Sequence, residues 1–265
     1  MKIYKCFLTE NDCYRAGRTI VPRGIMIHST GANNPNLKRY VQPDDGILGE
    51  NRNKNDWNRR GIPVCVHGFI GKTADGSIAV YQTLPWTCRG WHCGGAGNNT
   101  HISCEICEDG LTDGKYFRDV YQKAVELTAY LCREYDLDPL KDGVVICHSE
   151  GAKRGIASNH ADVMHWFPKY GKTMDDFRLD VAKELKKGTQ SEEKPITQEE
   201  FDAMAEKYFA QLGKRLPSDW SAESRLWAEK AELVKGEPGG EMRYRSFCTR
   251  EEAVEFLKRV YEKII

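Results

Sequence analysis

The stretch Gly24-Ile-Met-Ile-His28-Ser-Thr-Gly31 decides how this chain is read. A short apolar run ends abruptly in a histidine and small polar residues. It reads as a strand whose C-terminal end carries functional groups. The same design returns at Val144–Cys147, which runs into His148-Ser149-Glu150. Ile102–Cys107 is a further strand. Val64–Ile70 and Ser77–Gln82 pair across a turn at Asp75-Gly76, a hairpin signal. Between the strands lie helices. Over Tyr116–Tyr135 the apolar residues Val120, Tyr121, Ala124, Leu127 and Leu131 recur at helical spacing. Asp175–Leu185 is a second helix, with Thr173 placed to cap it and Phe177, Val181 and Leu185 on one side. Strands interleaved with helices imply an α/β domain: a mixed central β-sheet flanked by helices.

Further along, the pattern changes. Thr189–Pro195 (TQSEEKP) is polar, charged and ends in proline, as a linker does. The expected organisation is an α/β domain over 1–187, a linker over 188–196 and an all-α module over 197–265. Thr197 with Glu200 and Thr249 with Glu252 form capping boxes that open two of its helices. Phe201, Met204, Ala205, Tyr208, Phe209 and Leu212 form a stripe on the first. Trp220–Val234 reads as a third helix between them.

Composition excludes several function classes. Lysine plus arginine number 39, as do aspartate plus glutamate, so no basic bias suggests a nucleic-acid partner. The N-terminus has no apolar run of signal-peptide length, and no segment approaches a membrane span. The expectation is synthesis in the cytoplasm, with action elsewhere only after release. Ten cysteines are then expected as reduced thiols. Cys104 and Cys107 form a C-x-x-C, but three residues apart on a strand they face opposite sides and cannot grip one metal.

The chemistry rests on the strand ends, where an α/β sheet presents groups to a crevice. His28 and His148 can each offer a neutral imidazole to zinc, and a catalytic zinc takes three protein ligands plus an open position. The loop after His148 offers His160, Asp162 and His165 as the third. Seven histidines will place some at strand ends by chance. Spacing alone therefore leaves a hydrogen-bonded loop histidine as open as a ligand. No H-E-x-x-H motif is present, so the common zinc-protease helix is unsupported.

Four segments change that balance: IMIHSTG, VHGFIGKTADGSIAVYQTLP, GWHCGGAGNNTHISCEIC, and CHSE followed by HAD. In this order they resemble the type-2 N-acetylmuramoyl-L-alanine amidase family, shared by phage lysins and peptidoglycan-recognition proteins. The resemblance covers residues 20–180. It implies that His28, His148 and Asp162 bind Zn²⁺ and that Glu105, in the strand resembling the family's I-G-I-E, is the general base. It implies that His160, where the family often has lysine, polarises the scissile carbonyl. Trp91 and His92 would line the substrate. The implied activity is cleavage of the amide between N-acetylmuramic acid and L-alanine in peptidoglycan, by an endolysin or autolysin. The alternative is a non-catalytic peptidoglycan receptor on the same fold. The sequence departs from the family in two places: the family's D-P-G reads Asp162-Val163-Met164, and the interval from His148 is longer. His160 thus stands as the other candidate third ligand. The last helix resembles part of an S-layer-homology-like module, which implies that the C-terminal helices hold cell-wall polymer. The other reading of those helices is an oligomerisation appendage.

Overall fold

Side-chain alternation along β2 (Gly24–Asn33) sets the layers of the first unit. The other strands are β1 (Ile3–Lys5), β3 (Gly68–Lys72), β4 (Ile78–Gln82), β5 (His101–Glu108) and β6 (Val145–Cys147). The helices are α1 (Asp12–Arg15), α2 (Gly114–Glu134), α3 (His148–Lys153) and α4 (Met174–Gln190). The computed structural model describes residues 1–190, 197–237 and 239–264. The chain divides into two units, Met1–Ser191 and Glu192–Ile265.

The six strands form one sheet in the order β1-β4-β3-β5-β2-β6. All neighbours are parallel except the β3–β4 hairpin, so the sheet is mixed, as expected. Asp75 builds the hairpin turn by accepting from Thr73 Oγ1 and Ser77 N, and Gly76 takes the positive φ that the turn requires.

One face of the sheet packs on helices. Ile25, Ile27, Ile102, Cys104 and Ile106 meet Val120, Ala124, Leu127 and Leu131 of α2 and Phe177 and Val181 of α4. Burying each large aliphatic side chain contributes about 1.5–3 kcal/mol. The intervening residues, His28 on β2 and Ser103, Glu105 and Cys107 on β5, project to the opposite face. His28 and Glu105 are direct register partners, so they emerge side by side. Leu37, Tyr40, Val41, Phe69, Tyr81 and Cys107 form a second core on this face. Tyr40 stacks on Phe69 at 5.1 Å between ring centres, and Trp57 meets both rings edge-on.

Several boundaries differ from the sequence expectation. β2 runs on to Asn33 through an irregularity between Ser29 and Asn33, where Gly31 has positive φ. α2 starts two residues early, because Asp113 caps the amides of Lys115 and Tyr116. Thr173 caps α4, accepting from Asp176 N, but the helix continues to Gln190. It thus enters the stretch expected as linker, of which 191–196 lies outside the described residues. All ten cysteines are free, and Cys104 and Cys107 belong to cores on opposite faces of the sheet.

The second unit is helical. Its elements are α5 (Gln198–Gly213), α6 (Ala222–Lys230) and α7 (Arg250–Ile264). Both capping boxes form, at Thr197/Glu200 and Thr249/Glu252. The middle helix is shorter than its apolar pattern implied, because Trp220 sits in a separate 3-10 turn, Asp219–Ser221. Phe201, Met204, Tyr208 and Phe209 on α5 are exposed, as are Trp220 and Trp227. Among the described residues no helix is long and apolar enough to cross a membrane.

Candidate metal centre

Three side chains converge beside the middle of β2 and the C-terminal end of β6. β2 carries His28 on the face away from α2. β6 delivers His148 as the first residue of α3. There Glu150 accepts from Cys147 N and is held in turn by Arg178 at 3.0 and 3.1 Å. Asp162 opens a 3-10 turn, Asp162–His165, whose Val163 is fully buried, as is the following Trp166. Asp162 Oδ2 lies 3.0 Å from His28 Nδ1 and 2.8 Å from His148 Nδ1, and the two Nδ1 atoms are 3.2 Å apart.

The outer ring nitrogens are both engaged. His28 Nε2 is 3.0 Å from His92 Nδ1, and His148 Nε2 is 3.1 Å from Ser158 Oγ. With a metal bound, an Nε2–H on each ring would satisfy these contacts and leave both Nδ1 lone pairs free to hold it. Burial pushes the pKa of His28 down, against the pull of Asp162. Burial resists ionisation of Asp162 too, but hydrogen bonds from His148 and His28 hold its carboxyl well below the usual range. Two imidazoles and a carboxylate are a donor set of hydrolytic zinc. A zinc tetrahedron with bonds of about 2.0 Å has edges of about 3.3 Å. The three contacts are close to that spacing, so the residues present fit the ion.

Beside this triangle stands Glu105. Its Oε2 is buried and has no hydrogen-bond partner. Burial, then the charges of Asp162 and Glu108, push its pKa well above the ordinary carboxylate value. A carboxyl whose pKa is raised in this way suits a group that takes up and returns a proton. Glu105, His148, His92, Trp91 and His160 line one cleft of about 300 Å³, with Trp57 at its wall. His160 is exposed, its ring 4.8 Å from that of His148 and outside the donor triangle. Trp91 is 39% exposed.

Residues 17–165, more than half of the chain, match the family described as N-acetylmuramoyl-L-alanine amidase. The chain belongs to the type-2 N-acetylmuramoyl-L-alanine amidase family. Among solved structures, the chain is similar to the Staphylococcus aureus hydrolase AmiA in complex with its ligand. The two are 19% identical with a TM-score of 0.50, over 70% of this chain and 83% of that one. At that identity the likeness speaks for the fold alone. PlyL matches at 20% identity and a TM-score of 0.49, over 68% of this chain and 97% of that one. The N-acetylmuramoyl-L-alanine amidase LysC from Clostridium intestinale matches at 15% and 0.42, over 69% and 98%. No curated protein sequence matches the chain.

The remaining histidines of the amidase divide by partner. His67 is fully buried between Ser103 and the Cys88 carbonyl, and burial lowers its pKa to about 4. His101 is buried, bonded to Thr100 Oγ1 and the Gly143 carbonyl. His165, offered by the sequence as a third ligand, instead lies 3.0 Å from Glu108.

Three further residues contribute whose roles the sequence did not assign. Ser158 anchors His148 from inside the long loop. Asn98, fully buried, accepts from the amides of His92 and Cys93 and thereby sets the His92 backbone. Trp57 reaches the cleft from the segment between β2 and β3. For Asn98 the glycine-rich run around it was the only clue. Gly95 within that run lies so close to the Ile156 carbonyl that a Cβ would stand 2.5 Å from it.

Proposed function

We propose that the amidase hydrolyses the amide bond joining N-acetylmuramic acid to L-alanine in peptidoglycan, with a zinc ion held by His28, His148 and Asp162. The observation that carries this reading is the juxtaposition of three mutually close donor atoms with a buried, partnerless carboxyl in one cleft. When bound, zinc supplies Lewis acidity, polarising the scissile carbonyl and making water nucleophilic near neutral pH.

The chain's own residues do the rest. Glu105 takes the proton of the attacking water and returns it to the leaving amine of L-alanine. His160, exposed at the rim, donates to the oxygen that gains negative charge. With the His28 proton on Nε2, His92 Nδ1 is an acceptor, so the His92 proton lies on Nε2. That atom is buried, lacks a partner and belongs to a ring lining the cleft. It is a hydrogen-bond donor for a substrate carbonyl. Trp91 offers an aromatic face to a sugar ring.

In this reading the C-terminal unit binds cell-wall polymer through its exposed aromatic residues, and the enzyme acts on the wall after release, as an endolysin or autolysin does. A wall-binding role raises the local concentration of the catalytic domain. A chain ending at Lys187 would keep cleavage of soluble muropeptides but bind intact walls less. Equal wall binding by both chains rules out the anchoring role.

Digestion of purified peptidoglycan tests the reaction. Free L-alanine amino termini should accumulate while the glycan strands keep their length. Release of reducing sugar ends without new amino termini would make the enzyme a glycosidase and overturn the proposal.

A further inference from the structure

We propose that Glu108 and His165 form a strut that positions Asp162 for metal binding, a role that rests on the zinc reading above. Glu108 is the last residue of β5 and is buried. Its Oε1 lies 3.0 Å from His165 Nε2 and accepts from Gly31 N at 3.1 Å. Its own amide donates to Thr30 Oγ1 at 3.1 Å. One residue therefore ties together three pieces of the site. These are the strand that carries Glu105, the irregular stretch of β2 that follows His28, and the turn that begins at Asp162.

The turn needs such a hold. Asp162 adopts a φ of 45°, left-handed backbone that costs a non-glycine residue about 1 kcal/mol or more. Val163 and Met164 follow it, so neither proline nor glycine fixes or eases the backbone. Two things pin the turn down. One is burial of Val163 and Trp166, which sets its depth. The other is the close approach of His165 Nε2 to the Glu108 carboxyl at its far end, which sets its rotation and so the direction of the Asp162 carboxylate. His165 is itself a third exposed and is not one of the three converging donors, so altering it leaves the ligand set intact. The pair is thus a positioning device.

The test compares zinc affinity of the full chain with that of His165→Ala and His165→Gln, by competition with a chromophoric chelator. Melting of the metal-free proteins is followed alongside. Loss of a group that orients a ligand costs about 10–100-fold in metal affinity. His165→Ala should weaken zinc binding by at least about tenfold, with little change in the metal-free Tm. His165→Gln, whose amide NH₂ can reach Glu108, should recover most of the affinity. At saturating zinc, His165→Ala should regain kcat with KM unchanged. Unaltered zinc affinity in His165→Ala overturns the strut, as does a lowered Tm with affinity intact. If His165→Ala does not fold, His165→Gln against His165→Asn makes the same comparison, since the asparagine amide is too short to reach. Wild-type protein that binds no zinc overturns the metal reading itself, a failure separate from that of the strut.

Discussion

Replacing Glu105 by glutamine separates what this residue does for catalysis from what it does to stability. Glu105→Gln keeps the shape of the side chain and removes only the ability to ionise. Glu105 Oε2 has no hydrogen-bond partner, so no contact is lost. If this carboxyl moves the proton, the rate should fall by about 10²–10⁴-fold, or about 3–5 kcal/mol in the barrier. KM and zinc affinity should hardly move. Stability should change in the opposite direction. Burial and the charges of Asp162 and Glu108 raise the folded-state pKa above the unfolded value near 4.5. The wild type therefore loses stability, relative to the glutamine variant, as pH rises from 4.5 toward that raised value. Relief of such an active-site conflict typically adds about 1 kcal/mol, a rise of about 2–4 °C in Tm for a domain of this size. The assay pairs muropeptide kinetics with calorimetry of the metal-free proteins at pH 4.5 and 7. A variant that keeps a tenth of the rate or more, or one that melts several degrees lower at pH 7, refutes the assignment.

Other perturbations test separate parts of the structure. His67 has its pKa lowered from 6.5 to about 4 by burial. It contributes stability that is fully present above pH 6.5 and is lost as pH falls toward 4, about 3 kcal/mol in all. Stability measured against pH for His67→Gln should be flatter than wild type by that amount; parallel curves would contradict it. Trp91→Ala should raise KM roughly tenfold, with kcat and Tm near wild type, because the ring is 39% exposed. A fall in kcat alone would move Trp91 from substrate binding to the reacting groups. Leu127→Ala, at a fully buried position of α2, should cost about 2–5 kcal/mol of unfolding free energy in denaturant titration; a loss below 1 kcal/mol would mean that α2 does not close the core.

Much of the site was legible because it lies on regular elements. Apolar alternation in β2 and β5 places His28 and Glu105 on the face away from α2, and the parallel register then makes them neighbours. The helical spacing of α2 was equally plain, as were the hairpin at Asp75-Gly76 and both capping boxes. What stayed hidden depends on contacts between residues distant in sequence. The buried state of His101 follows from the Gly143 carbonyl across the sheet edge. The contact between His28 and His92 spans 64 residues, and no local pattern reports it. The extension of β2 through Gly31 depends on Glu108, which supplies an acceptor for its amide. The choice between Asp162 and His160 was open in the sequence because either could extend from the same loop. In the fold, the left-handed turn at Asp162 brings the carboxylate to both imidazoles, while the His160 ring stays at the rim.

The zinc content of purified Asp162→Ala and His160→Ala, set against wild type, is the most direct measurement of the central claim. Wild type and His160→Ala are expected to carry one zinc per chain, and Asp162→Ala to have lost it. Zinc retained in Asp162→Ala and lost from His160→Ala would contradict the three-residue centre.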